Sequence, residues 1–360
     1  MERTRNIEFL SVLFTAGIAA GMLIPPSSAA LFAGALLPCL AVSVLGRERI
    51  AMLPERAAAG WIFGTFLLLG AFCCAAARIP AAHGPDFIGL LAEDCAAALR
   101  AFIRSLPFRD EGTAPLLLAL LTGDRSALPA HTTAVFRESG ASHLLALSGL
   151  HIGIIYLVAD RIVRVMGRSR TARRLRYGII VSGAGFFTLM TGAGPSIMRA
   201  FLFILIGETL RLLGRPRNAV RVLCLALFVQ LVLNPEAIGE LGFQLSYLAM
   251  AGIFLLYPVL EKWYPEGSAR NPLRRIWQAA ALSISCQVFT GPLAWYRFHT
   301  FPRFFLLTNL FAIPLTTCLM VTAVLTVALS AIGICPAALV QATDLLCRAL
   351  TEVLGLIASM

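Results

Sequence analysis

The run Ser142-His143-Leu144-Leu145-Ala146-Leu147-Ser148-Gly149-Leu150-His151-Ile152 places two imidazoles and two hydroxyls in a stretch that otherwise reads as a membrane-spanning helix. Polar and ionisable side chains are costly in hydrocarbon, so within a membrane they mark a water-filled path or a protein-facing surface. Ser148 and His151, at i and i+3, can touch on one helix. A serine nucleophile with a histidine base also needs an acid to orient the imidazole, and none stands nearby in sequence. Hydrogen-bonded packing inside a bundle is the competing role for this pair. His143 and His151 are eight residues apart, about 12 Å along a helix axis and about 80° around it, which is too far for one metal ion. Gly149 and Gly153 form a Gly-x-x-x-Gly pair, a spacing that permits close helix approach and favours packing or pore lining.

Pro195-Ser196-Ile197-Met198-Arg199-Ala200 is a second such place. Pro195 suits a first helical turn, and Gly192-Ala193-Gly194 before it predicts a helix break. Arg199, one turn in, must snorkel, pair or face water, because an unpaired arginine within a membrane costs about 3 kcal/mol or more. A guanidinium beside a break can grip a phosphate through paired hydrogen bonds. Gln230, Gln244, Ser246, Tyr247 and Gln287 add polar groups within apolar segments, with Gln244 and Tyr247 at i and i+3. Asn309 and Pro314 predict a second helix break, and Pro292 interrupts the preceding segment. Broken helices flank substrate paths in transporters; proline kinks satisfied by neighbouring helices are the alternative.

The elements that must position these groups follow from composition. The 360 residues are 58% hydrophobic and 14% charged, against about 25% charged in a soluble domain, and mean hydropathy is +0.81. The apolar segments are continuous and do not alternate, which favours helices over a barrel. The expected fold is all-α: a polytopic membrane bundle of about 10–11 transmembrane helices of bilayer-spanning length. An amphipathic helix over 86–106 adds to it, lying in the interface or packed on the bundle. A short apolar helix at 115–121 cannot span and must be covered by protein or face water. The segments group as an N-terminal three-helix part (1–85), a part with amphipathic and short re-entrant helices (86–140), and a helical bundle (141–360).

Net charge is +11, and Lys262 is the sole lysine. Arginines concentrate at 161–176, 211–221 and 270–275, whereas 234–240 carries acids. With Arg3, Arg5 and a basic loop at 46–56, this places the N-terminus in the cytoplasm by the positive-inside rule. The same loops offer attraction to anionic lipid or to a polyanion. The first apolar run, 9–24, has no clean cleavage site and reads as an uncleaved helix. Nine cysteines without a Cys-x-x-Cys pair, and five histidines without ligand spacing, point to no disulfide framework, no metal and no cofactor.

At these residues the chain resembles the bacterial ComEC competence family, whose members carry single-stranded DNA across the inner membrane during transformation. Leu121-Thr122-Gly123-Asp124-Arg125-Ser126 looks like the family's opening Gly-Asp-Arg motif. Ser142-His143-Leu144 with Ser148-Gly149-Leu150-His151 is the most specific piece. Gly194-Pro195-Ser196-Ile197-Met198-Arg199-Ala200 looks like its Ser-x-x-Arg-Ala motif, and Asn234-Pro235 with Gly242-Phe243-Gln244-Leu245-Ser246-Tyr247 like the next signature. Asn309-Leu310 with Pro314 resembles a late one. The resemblance implies a competence-type channel and no enzyme. Its path would be lined by His143, Ser148, His151, Ser196, Arg199, Gln244 and Tyr247, with helix breaks at Gly194, Pro195, Asn309 and Pro314. It also implies single-stranded DNA and membrane lipids as partners, together with separate competence proteins supplying receptor, nuclease and ATPase functions; a homodimer stays open. Family members commonly add an OB-like domain and a metallo-β-lactamase-like domain. Residues 78–86 leave no room for the first, and no His-x-His-x-Asp-His motif marks the second, so a reduced member or the channel part of a truncated gene is expected. A transporter or flippase of another anionic substrate is the alternative, and an intramembrane enzyme using Ser148 and His151 is the weakest reading.

Overall fold

Continuous apolar runs without alternation fold as helices, because a helix satisfies its own backbone hydrogen bonds. The computed structural model describes residues 7–23, 25, 28–45, 54–78, 87–167, 169–264, 271–299 and 302–360, and no strand occurs among them. The fold is all-α, as expected. Arg3, Arg5, most of the basic loop at 46–56, Arg168 and Arg270 lie outside the described residues.

The chain divides into two compact units, Met1–Asp86 with Leu202–Phe243, and Phe87–Phe201 with Gln244–Met360. Among the described residues, three helical stretches are long and apolar enough to cross a membrane, Ala57–Ala77, Leu241–Glu261 and Phe305–Ala331, and three shorter ones are apolar, Ile7–Met22, Thr113–Thr122 and Ala219–Leu233. This fits a membrane protein. Other segments read as crossings carry charge instead: Pro195–Leu212 contains Arg199, Glu208 and Arg211, and Ala337–Ala358 contains Asp344, Arg348 and Glu352.

In the first unit, α1 (Ile7–Met22), α2 (Ala29–Leu45) and α3 (Glu55–Ala77) precede a later helix, Ala219–Leu233. The α1–α3 crossing is built on glycine. A Cβ on Gly17 would stand 2.1 Å from the Leu67 carbonyl oxygen, and one on Gly70 2.2 Å from that of Phe14. With little hydrophobic drive between helices in lipid, such backbone approach gives the dispersion contacts that hold a pair together. Ser11 Oγ donates to the Cys224 carbonyl at 3.0 Å, and the Phe14 and Phe228 rings meet at 4.6 Å.

In the second unit come α4 (Phe87–Ser105), α5 (Thr113–Thr122), α6 (Ala130–Glu138), α7 (Ser142–Leu145), α8 (Gly149–Val163) and α9 (Arg170–Met190). They are followed by α10 (Pro195–Leu212), α11 (Ala219–Leu233), α12 (Leu241–Leu255) and α13 (Tyr257–Glu261). Finally come α14 (Pro272–Phe298), α15 (Phe305–Ala331) and α16 (Ala337–Ala358). The unit boundary falls within α10 and α12, and α11 belongs to the first unit. The short α5 is the centre of the second unit's core: residues 116–121 are all buried, among Ile103, Phe136, Leu319, Met320, Leu350 and Leu354. Of the two settings open to so short an apolar helix, it takes the protein-covered one. α4 is amphipathic as expected, with Ala92, Ala96 and Ile103 inward while Phe87, Ile88, Leu90 and Leu91 stay exposed.

Two expectations need correction. Ser142–Ile162 is not one helix: α7 ends after a single turn, Ala146 turns extended (ψ 128°), and α8 restarts at Gly149. The 12 Å separation of His143 and His151 along a common axis therefore does not apply. Conversely, Asn309 and Pro314 do not break a helix, since α15 runs unbroken through both, as α14 does through Pro292. Proline removes one intrahelical hydrogen bond, and in long helices packed on neighbours that loss is tolerated without a break.

Candidate functional site

Ser148 is the N-cap of α8. Its extended backbone (φ −124°, ψ 169°) turns the hydroxyl onto the new helix, where Oγ accepts from the Leu150 N–H at 3.3 Å. His151 closes the other half of a capping box: its Nδ1 accepts from the Ser148 N–H at 3.0 Å, and lies 3.0 Å from Ser148 Oγ. A backbone N–H can only donate, so Nδ1 is the acceptor and a neutral ring carries its proton on Nε2. That Nε2 is buried, with no hydrogen-bond partner among the described residues. The pair that reads as nucleophile and base is, in its ground state, a helix cap.

The break expected before Pro195 is present. Gly192 (φ 79°) and Ala193 (φ 50°) both take left-handed backbone, which is strained for alanine. Ala193 N–H closes on the Thr188 carbonyl at 2.8 Å, and Met198 N–H on that of Gly194 at 2.9 Å. α10 then presents Ser196 and Arg199 to α12. Ser196 Oγ and Ser246 Oγ are 3.2 Å apart. Arg199 Nη1 donates to the Ser246 carbonyl, and its guanidinium carbon lies 6.0 Å from the Tyr247 ring centroid, at the outer limit of a cation–π contact.

The two places meet at Gly149. A Cβ there would stand 3.2 Å from Arg199 Nη2 and 3.3 Å from Ala200 Cβ. The first residue of α8 thus abuts the guanidinium. Both carry positive potential, the helix end through its aligned peptide dipoles, and among the described residues no carboxylate lies within ion-pair distance of Arg199. Such an arrangement suits an anion. Of the Gly149–Gly153 pair, only Gly149 is closely approached, by Arg199 and Ala200 of α10, while Gly153 faces open space.

Residues 120–360 match the family described as "Competence protein". The chain belongs to this family. The match covers the capped break, α10 and α12, and bears out the resemblance read from the motifs. Among curated relatives, the chain is similar to ComE operon protein 3 of Bacillus subtilis (28% identical over 56% of this chain and 24% of that one). It is also similar to competence protein ComA of Neisseria gonorrhoeae (29% over 55% and 28%) and recombination protein 2 of Haemophilus influenzae (24% over 58% and 28%). The chain thus aligns with about a quarter of the length of these relatives. No solved structure matches it.

Within this competence-family region the structure gathers Ser148, His151, Ser196, Arg199 and Tyr247. Gln244, half-buried, is one turn from Tyr247 on α12. His143, on α7, is exposed, with Nδ1 3.3 Å from the Gly140 carbonyl oxygen. Asn309 lies inside α15, its Oδ1 buried without a partner among the described residues, and the neighbouring Thr308 Oγ1 donates to the Ser139 carbonyl at 2.6 Å. Two contributors escaped the sequence reading. Gly149 stood out as a packing or pore-lining residue, not as the neighbour of Arg199. The Ser246 carbonyl is a backbone group, and no side-chain pattern announces which carbonyl a guanidinium will find.

Proposed function

We propose that this competence-family chain forms part of a channel that carries single-stranded DNA into the cytoplasm during natural transformation. In this reading it sits in the bacterial cytoplasmic membrane with its N-terminus inside. Residues 1–85, 86–140 and 141–360 form its membrane, re-entrant and channel parts. The observation that carries the reading is Arg199, held by the Ser246 carbonyl and set against the first residue of α8 with no carboxylate beside it among the described residues. A guanidinium so placed offers its remaining N–H groups to a backbone phosphate. His143, Ser148, His151, Ser196, Gln244 and Tyr247 flank the same path, His151 Nε2 supplying a donor that has no partner among the described residues. Gly194 and Pro195 start α10 at the level that sets Arg199; Asn309 and Pro314 line α15 without breaking it.

The chain acts as a conduit and not as an enzyme: capping accounts for Ser148 and His151 without a catalytic acid. The exposed arginines Arg161, Arg170, Arg173 and Arg174 favour a polyanion on the cytoplasmic side. Separate competence proteins supply the DNA, degrade its partner strand and provide energy. The test is uptake of labelled DNA into the cytoplasm of a competent host deleted for the gene. Wild type restores uptake, and Arg199→Ala at equal expression does not. Unchanged uptake on deletion would instead favour another anionic substrate.

A further inference from the structure

The Gly123-Asp124-Arg125 turn has no part in the path described above, yet its contacts converge on the α7–α8 break. A continuous helix through 142–163 would donate Ser148 N–H to the Leu144 carbonyl and Gly149 N–H to that of Leu145. Neither bond forms. The first donor goes to His151 Nδ1. The second acceptor, the Leu145 carbonyl, is taken by Arg125 Nε at 3.1 Å. Arg125 thus occupies the acceptor that would close the break.

Its neighbours fix it there. Gly123 ends α5 with φ 78°, and a Cβ on it would stand 2.5 Å from Leu147 Cδ1, inside the break itself. Only glycine satisfies both the left-handed backbone and the packing of Leu147. Asp124 Oδ1 accepts from the Ser126 N–H at 3.0 Å, and its other oxygen faces Arg104 at 3.6 Å and Arg100 at 3.9 Å on α4.

We propose that Gly123-Asp124-Arg125 is a positioning element that keeps the α7–α8 break open, Arg125 acting by holding the Leu145 carbonyl. Through that break it sets the Ser148–His151 cap and the placement of Gly149 against Arg199. Its effect on transport rests on the channel reading; its effect on the backbone does not.

Hydrogen exchange of the full chain in lipid nanodiscs separates the two. Arg125→Met keeps the bulk of the side chain and loses the donor; by freeing the Leu145 carbonyl for the Gly149 N–H it should slow amide exchange at residues 146–151 at least about five-fold, leaving α15 and α16 unchanged. Arg125→Lys, which still donates, should stay near wild type. Asp124→Asn, which loosens the turn, should give the same local pattern at smaller amplitude, so a poorly accumulating Arg125→Met does not shelter the claim. Unchanged or faster exchange at 146–151, or a change spread equally over α15 and α16, would overturn it. If the exchange pattern holds while DNA uptake never depended on the gene, the positioning role stands and the channel reading falls.

Discussion

The glycine spacing Gly17-x-x-x-Gly21 in α1 and Gly149-x-x-x-Gly153 in α8 is identical in sequence and opposite in use. Gly17 and Gly21 lie against the backbone of α3, with a Cβ meeting Leu67 oxygen at 2.1 Å and Ala71 at 3.0 Å. Gly149 meets no helix backbone; it meets the Arg199 side chain, and Gly153 meets nothing within 4 Å. One glycine pair builds a close backbone crossing, while the other leaves room at a helix start for a charged group. The motif states that a backbone can be approached. What approaches it is decided by residues elsewhere, Gly70 in the first case and Arg199 in the second.

Substitutions can break this contrast. Gly17→Ala should be the most damaging, because the obstacle is a helix backbone that cannot move alone; a loss of about 1–3 kcal/mol should appear as a lower melting midpoint of the purified protein. Gly153→Ala should leave that midpoint unchanged, and an equal loss at both sites would erase the distinction. Ser148→Ala should cost about 1 kcal/mol as a lost cap and lower DNA uptake only partly. Ser148→Asp, which caps but cannot replace a serine nucleophile, should restore uptake; complete loss in both variants would instead mark Ser148 as a reacting group. Gly149→Ala should shift the guanidinium by a few tenths of an ångström, lowering uptake with little change in melting.

The smallest effect concerns acid. Hydrogen bonding from the Gly112 N–H, with Arg348 beside it, holds the Asp110 carboxyl below the usual carboxylate range. A lowered folded-state value means that its contribution is complete above the ordinary range, about pH 4, and is lost as pH falls through the lowered value. Asp110→Asn should therefore flatten the acid limb of stability below about pH 4 and leave neutral stability nearly unchanged, which a melting series against pH would show.

The sequence made the helical bundle, the amphipathic α4, the covered α5 and the start of α10 at Pro195 legible, because each rests on local periodicity or a local breaker. The α7–α8 break was not, since every residue from Ser142 to Ile162 is compatible with a helix and Arg125, which takes the Leu145 carbonyl, lies 20 positions upstream. The reverse error at Pro314 has the same origin: proline signals a lost hydrogen bond, while packing decides whether the helix bends or stops. The grouping of Arg199 with Tyr247 was readable from polar residues in apolar segments, but not its hold on a backbone carbonyl.

The most direct test of the central claim places a reporter beside Arg199. In a variant with all nine native cysteines replaced, Ser196→Cys in nanodiscs is treated with a cationic, water-soluble thiol reagent, with and without single-stranded DNA. The account predicts that the thiol reacts, and that single-stranded DNA slows the reaction where an uncharged polymer does not. A thiol that fails to react, or one that reacts equally fast with DNA present, would contradict a DNA path at Arg199.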